Sequence, residues 1–205
     1  LIQRFTIAAS HQGILAANHV LAGQEITLTL TADASPDGTR DAVTYKGSAI
    51  LKIDARNSGG VVTSVTGTGV TDLGSGRIQL DGKTWLAGKR TVTLKDSSAI
   101  DTLAVSIVDS SDATKPYVGK LDSLIVYDPN AYTKIVVSVS AGSTVIQGEP
   151  FQVDVTIADK YGNRRVADDR YVGIAANKPG IEIPRGELFI DNGMGHFMAK
   201  ASGWS

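Results

Sequence analysis

A period of two is the feature that most limits how this chain can fold. In Glu25-Ile26-Thr27-Leu28-Thr29-Leu30-Thr31 every second residue is apolar, so Ile26, Leu28 and Leu30 share one face of an extended backbone. The same alternation runs through Thr102 to Val108 and through Phe151 to Ile157. Such segments lay one face on a core and leave the other in water, the pattern of antiparallel sheets. Further strands are predicted at 48–54, 61–66, 77–80, 89–94, 121–127, 134–140, 171–175, 187–190 and 195–200. Between them stand turn signals: Pro36-Asp37-Gly38, Asp81-Gly82, Tyr161-Gly162-Asn163 and Asp191-Asn192-Gly193. The one helical candidate, 14–22, lacks a convincing cap and carries Asn18 and His19, so it reads as loop. Many short strands at close spacing predict an all-β sandwich or barrel.

Four sequence blocks recur in order. Val20 to Glu25, before the first alternating strand, is matched by Val145 to Pro150. Both strands then run into an Asp-containing turn, Asp33 to Gly38 and Asp159 to Asn163. Gly76-Arg77-Ile78-Gln79-Leu80-Asp81-Gly82 matches Gly186-Glu187-Leu188-Phe189-Ile190-Asp191-Asn192, and Gly88 to Ser97 matches Gly193 to Ser202. The first copy has extra length around 56–75 and 83–87. A period of roughly 110–125 residues suits one sandwich module rather than a solenoid repeat. The expected organisation is therefore a module over 1–128, with an inserted region around 56–87, and a second over 129–205. Tyr127-Asp128-Pro129-Asn130-Ala131-Tyr132 is the expected linker, short enough to limit swing between modules.

After Ser97 the first copy continues through two more strands, 102–108 and 121–127; after Ser202 the second has only Gly203-Trp204-Ser205. The second sandwich is thus expected to lack its final strands. Either the natural chain continues, the expected case, or another polypeptide supplies them by β-augmentation. The alternation is under way from Leu1, with no initiator Met, so a signal or a preceding region is also expected.

The run Ile135-Val136-Val137-Ser138-Val139, then Gly148-Glu149-Pro150-Phe151 and Val153 to Asn163, resembles the opening of bacterial Ig-like repeats of the invasin, intimin and adhesin type. Asp191-Asn192-Gly193 followed by Gly195-His196-Phe197 is similar to a late turn and strand of those repeats. The likeness spans the second copy and, more loosely, the first. It implies two tandem immunoglobulin-like sandwiches in an extracellular protein of the bacterial cell surface. The implied role is that of a stalk, surface-layer or filament component, partnered by neighbouring modules, and no catalytic residues carry over.

Composition narrows the remaining classes. Hydrophobic residues make up 42% and charged residues 20%, enough for a packed core. Net charge is −1 with Lys and Arg scattered, which speaks against nucleic acid as a partner. No apolar run reaches the ~18 residues of a membrane span. The chain has no Cys. Its three histidines, His11, His19 and His196, stand without the partners that nucleophilic catalysis or zinc would need, and no enzyme is predicted. Asp168 and Asp169 are adjacent and read as a solvated turn rather than a catalytic pair.

No catalytic, cofactor or metal residues are assigned. The candidates for a structural calcium ion are Asp33, Asp37 and Asp41 in one turn region, Asp109 and Asp112 in another, and Asp128 with Asn130 in the linker. None has EF-hand spacing, and ordinary turn chemistry is the prevailing reading. Gly67 to Gly76 lacks the Lys-Ser/Thr ending of a phosphate loop and reads as a flexible loop or hairpin. Trp85, Tyr117, Tyr127 and Tyr132 would make a sugar-stacking platform only if exposed on one face; core and linker packing is expected. The alternatives to a stalk are a module that binds a glycan or protein ligand through 56–87, and an ancillary domain of a secreted hydrolase.

Overall fold

The alternating segments are strands in the computed structural model, which describes residues 2–12, 18–55, 64–99, 101–111, 117–122, 125–140, 142 and 144–203. Contacts divide the chain into two units, Leu1–Asp128 and Pro129–Ser205. In the first unit the strands are β1 (Arg4–Ser10), β2 (His19–Leu21), β3 (Glu25–Asp33), β4 (Ala49–Ala55), β5 (Ser64–Thr66), β6 (Val70–Asp72) and β7 (Arg77–Leu80). A 3-10 turn, Gly82–Thr84, leads to β8 (Lys89–Lys95), β9 (Asp101–Asp109), β10 (Val118–Lys120) and β11 (Ile125–Asp128).

One sheet has the order β1-β3-β8-β5 and the other β2-β11-β9-β4-β7-β6, with β10 also on β9. Apolar residues of both sheets join one core: Leu28, Leu30 and Leu94 from the first, Leu51, Leu80 and Ile107 from the second. This makes the first unit a two-layer sandwich, in which each such buried side chain contributes about 1.5–3 kcal/mol. Gly119 shows how closely the layers approach, since a Cβ there would lie 2.3 Å from the Phe5 carbonyl oxygen. Only a residue without a side chain lets β10 rest against β1.

The second unit contains β12 (Tyr132–Val139), β13 (Pro150–Asp159), β14 (Arg170–Gly173), β15 (Ile181–Glu182), β16 (Glu187–Ile190) and β17 (Met194–Ala201). Its sheets are β12-β13-β17-β15 and the pair β14-β16. Its buried core cluster comprises Val155, Ile157 and Ile190, with Val172, Leu188 and Phe197 partly buried against it.

The two units repeat one register. Leu28 of β3 faces Val92 of β8, as Val153 of β13 faces Phe197 of β17. Phe5 faces Ala32, as Ile135 faces Ile157. Leu51 of β4 faces Ile78 of β7, as Val172 of β14 faces Leu188 of β16. The β8 and β17 hairpins close alike, through Ala87-Gly88 and Asn192-Gly193, all four residues at positive φ. Two-residue turns of that hand match the twist of the strands they join. A Cβ at Gly88 would meet the Ala42 carbonyl at 2.5 Å, and one at Gly193 the Arg165 carbonyl at 2.1 Å. The extra residues before the first of these turns therefore lie at 81–85 rather than 83–87, and they deliver Trp85 to the core.

Of the other expectations, some are revised and some are met. Within 14–22, read as loop, His19–Leu21 is the strand β2; three residues are too few to display a period. Of 121–127, residues 123 and 124 lie outside the described residues; Leu121 and Asp122 are not in a strand, and β11 begins at Ile125, paired with β9. Of 61–66, only 64–66 lies within the described residues, and it is β5. The Gly-rich stretch 67–76 includes β6 and the turn into β7, a hairpin.

Candidate functional site

The largest departure from a closed sandwich is on the second unit. Phe5 is 1% exposed, whereas its register equivalent Ile135 is 45% exposed and Val137 is 63% exposed. Phe5 is covered by β10 and by an aromatic cluster, its ring centroid standing 5.6 Å from Tyr45 and 5.7 Å from Trp85. Nothing among the described residues plays that part for Ile135. A groove of about 360 Å³ opens there, lined by Ile135, Val137, Phe151, Val172, Ile181 and Phe197 among others. On the strand beside it, β14 pairs only with β16 among the described residues, while its equivalent β4 has β7 on one edge and β9 on the other. The second unit therefore presents an apolar inner face and an unpaired strand edge together, the two features of a surface that receives strands.

A second groove, of about 460 Å³, lies over the first unit between Thr66 to Thr68, Thr84 and Lys89 to Thr93. Arg90 is nearly buried in its wall, donating to the carbonyls of Asp81 at 3.2 Å and Thr68 at 2.5 Å, with Trp85 at 5.8 Å from its guanidinium. Burial lowers its pKa, and its Nε has no hydrogen-bond partner. The two carbonyl bonds tie the 67–69 turn to the 81–85 insertion, a role in holding loops.

The carboxylates proposed for calcium are dispersed among protein partners. Asp37 accepts from the Thr39 N–H and hydroxyl, and hydrogen bonds from Ser35 and Thr39 hold its pKa down at about 2. Asp41 pairs with Lys89 at 2.7 Å. Asp109 accepts from the Ser111 N–H at 2.9 Å. Asp128 meets His19 Nδ1 at 3.0 Å. The Asn130 N–H donates to Asp159. Asp112 lies outside the described residues. Among the described residues no three His, Asp or Glu groups converge as a metal site would require.

Two buried aspartates organise the turns after equivalent strands in opposite ways. Asp159 accepts the N–H groups of Asn130, Tyr161 and Asn163 and the Asn163 amide, all at 2.9–3.0 Å. Burial raises its pKa, but these bonds outweigh burial and hold it below its ordinary value. Asp33 is just as buried, yet neither of its oxygens meets a hydrogen bond of normal geometry, and Arg4 stands 4.0 Å away. Burial accordingly pushes the Asp33 pKa up.

The adjacent acids at 168–169 are not a solvated turn. Asp168 is buried and bonded to both Arg165, at 3.2 Å, and Arg170, while exposed Asp169 accepts the Asn192 N–H at 2.7 Å. The pattern Arg-x-x-Asp-x-Arg was the signal, since two cations flanking an acid satisfy it on burial. Trp85 and Tyr127 are fully buried and Tyr117 packs on the core, so these three form no sugar platform, and the Tyr132 side chain lies outside the described residues. Burial raises the pKa of Tyr45 and of Tyr127. His19 lies on β2 and His196 on β17, opposite Asp154 in the ladder. No helix is long and apolar enough to cross a membrane among the described residues.

No protein-family model matches the chain. No curated protein matches it in sequence. The fold is similar to parts of the β-glucuronidase of Parabacteroides merdae, at 12% identity and a TM-score of 0.29, covering 97% of this chain and 22% of that enzyme. A second structure of the same enzyme, with glycerol in its active site, gives 11% identity, a TM-score of 0.28 and the same coverage. The chain thus spans about a fifth of that enzyme's length, and scores this low carry no functional argument. The class established here is an all-β sandwich protein.

Proposed function

We propose that this chain is a structural repeat segment of an extracellular bacterial surface protein, a stalk, surface-layer or filament component that performs no catalysis. The observation that supports this reading most is the duplicated register: the same three strand pairings and the same closing hairpin recur in both units. Tandem repetition of one scaffold is the economy of a spacer. The open face of the second unit fits the same reading, because a module in such an array accepts strands from its own or a neighbouring polypeptide. Antibodies against the chain, applied to intact source cells before and after protease shaving, are expected to label the surface and to lose their target on shaving. Recovery only from the interior of lysed cells would overturn the proposal.

A further inference from the structure

We infer that the outer face of β17 is a binding site for a soft monovalent metal ion, copper(I) being the biological case. Its ligands are the His196 imidazole and the Met198 thioether, with Met194 as the alternate thioether. The site stands apart from the stalk reading and does not depend on it. β17 reads Met194-Gly195-His196-Phe197-Met198, and the strand period puts Met194, His196 and Met198 on one side. The other side faces inward. Phe197 packs against the core cluster, and a Cβ at Gly195 would lie 2.8 Å from the Phe189 carbonyl oxygen. His196 is exposed, and Met194 and Met198 are 44% and 49% exposed.

Packing does not account for these methionines. The chain has two Met, and both stand in water on this one face, whereas Met ordinarily fills gaps in a core. Their register equivalents on β8, with that of His196 between them, are Lys89, Thr91 and Thr93, residues at home on a solvated strand. The neighbouring strand changes in step. Where β3 has Thr27 and Thr29, β13 has Gln152 and Asp154, opposite Met198 and His196.

A thioether is a soft, neutral donor that selects copper(I), and imidazole suits the same metal. Copper(I) and silver(I) are closed-shell ions for which two donors are enough. Residues two apart on a strand are about 6.4–6.8 Å apart, and the flexible Met side chain can fold its sulfur toward the imidazole between. Met194 and Met198 are about 13 Å apart along the strand, too far for both sulfurs to close on one ion. The imidazole is therefore shared between two alternative pairings. Met198 is the better partner, because the Arg164 guanidinium lies 4.0 Å from the Met194 sulfur and opposes a cation there.

The charges around His196 suit a cation. Asp154, directly across the ladder, accepts from the Ser140 hydroxyl and the Gln152 amide, and these bonds hold its carboxyl below the usual range. Lys200, next beyond Met198 on this face, has Glu182 opposite it. Zinc and calcium want more hard donors than one imidazole and one carboxylate. Among the described residues no three His, Asp or Glu groups converge here or elsewhere, so the preference falls to a metal that accepts sulfur.

The test is an NMR titration of the full chain, isotope-labelled at its Met methyl groups, with silver nitrate in chloride-free buffer. Silver(I) shares the ligand preferences of copper(I) and keeps its oxidation state. One equivalent is expected to move the Met198 methyl signal and the His196 ring signals together, and the Met194 signal less. His196→Gln is expected to weaken binding about ten-fold or more, no less than the loss of an outer-shell partner does at other metal sites. Met198→Leu is expected to pass the shift to Met194 at lower affinity, and Met198→Leu with Met194→Leu to abolish binding. All three side chains are exposed, so these variants should keep the thermal midpoint of the unaltered chain. His19→Gln is expected to leave the affinity unchanged, and zinc(II) to leave both methyl signals in place. Methyl signals unmoved by silver(I), a shift undiminished in His196→Gln, or the same shift with zinc(II) would each overturn the site.

Discussion

The two units answer the same register with different degrees of closure, and the difference separates what a strand pattern does from what a second sheet does. In the first unit Phe5, Leu28 and Leu94 are all almost fully buried, because β9, β10 and β11 complete the layer facing them. In the second, the matching Ile135 is exposed and Phe151 and Phe197 are only partly buried, because β14 and β16 face four strands alone. Where the opposing layer is thinnest, an apolar residue at an inward position gains little from being there. Inward position and burial are separate facts.

The sharpest way to break this comparison is to truncate equivalent residues. Phe5→Ala is expected to cost about 3–5 kcal/mol, whereas Ile135→Ala costs less than about 1 kcal/mol. Urea denaturation followed by Trp85 fluorescence in a Trp204→Phe background measures the first, and amide hydrogen exchange along β12 and β13 the second. Comparable losses at the two sites would mean that the second unit is closed as tightly as the first.

The buried aspartates give a smaller contrast of opposite sign. Asp159→Ala removes the acceptor of three backbone N–H groups and is expected to cost about 1–3 kcal/mol, while Asp33→Asn is neutral or stabilising near pH 7. Their pH dependences oppose each other too. The Asp159 contribution is fully present above its unfolded value of 3.8 and is lost as pH falls through its lower folded value. For Asp33, whose folded value is raised, the penalty is absent below 3.8 and grows as pH rises through the folded value. Midpoints of each unit against pH should therefore drift in opposite senses, and the two substitutions should each flatten one drift. Parallel curves would contradict the assignment.

The smallest expected effect concerns the closing hairpins. Asn and Gly suit the left-handed positions of such turns, and Ala87 at φ 49 does not. Ala87→Asn, copying Asn192, should stabilise the first unit by about 0.5–1 kcal/mol, and Asn192→Ala should destabilise the second by a similar amount. Thermal midpoints of the two variants decide it; no change at Ala87 would place that strain elsewhere.

Much of the sandwich was legible because alternation is a local property. Ile26, Leu28 and Leu30 have to share a face once extended, and the same holds for Val153, Val155 and Ile157. What escaped were features with no local period: β2 and β10, three residues each, are strands only because β11 and β9 offer them an edge. Asp168 looked solvated because its neutralising partners, Arg165 and Arg170, act only once the turn brings them round it. The carboxylates grouped in sequence for calcium found Lys89, Ser111 and His19 instead, since distance along the chain says little about which cation or N–H a turn delivers.

By itself, then, the order of residues determined the all-β class, the inward faces of the long strands and the repetition of one turn chemistry, all set by backbone geometry and by neighbours a few positions apart. Only the tertiary structure decided which of those faces is covered. Coverage needs atoms from distant segments to arrive on the same face, and no local pattern encodes their arrival. That is why Phe5 and Ile135, alike in pattern and in register, stand on opposite sides of the boundary between core and surface.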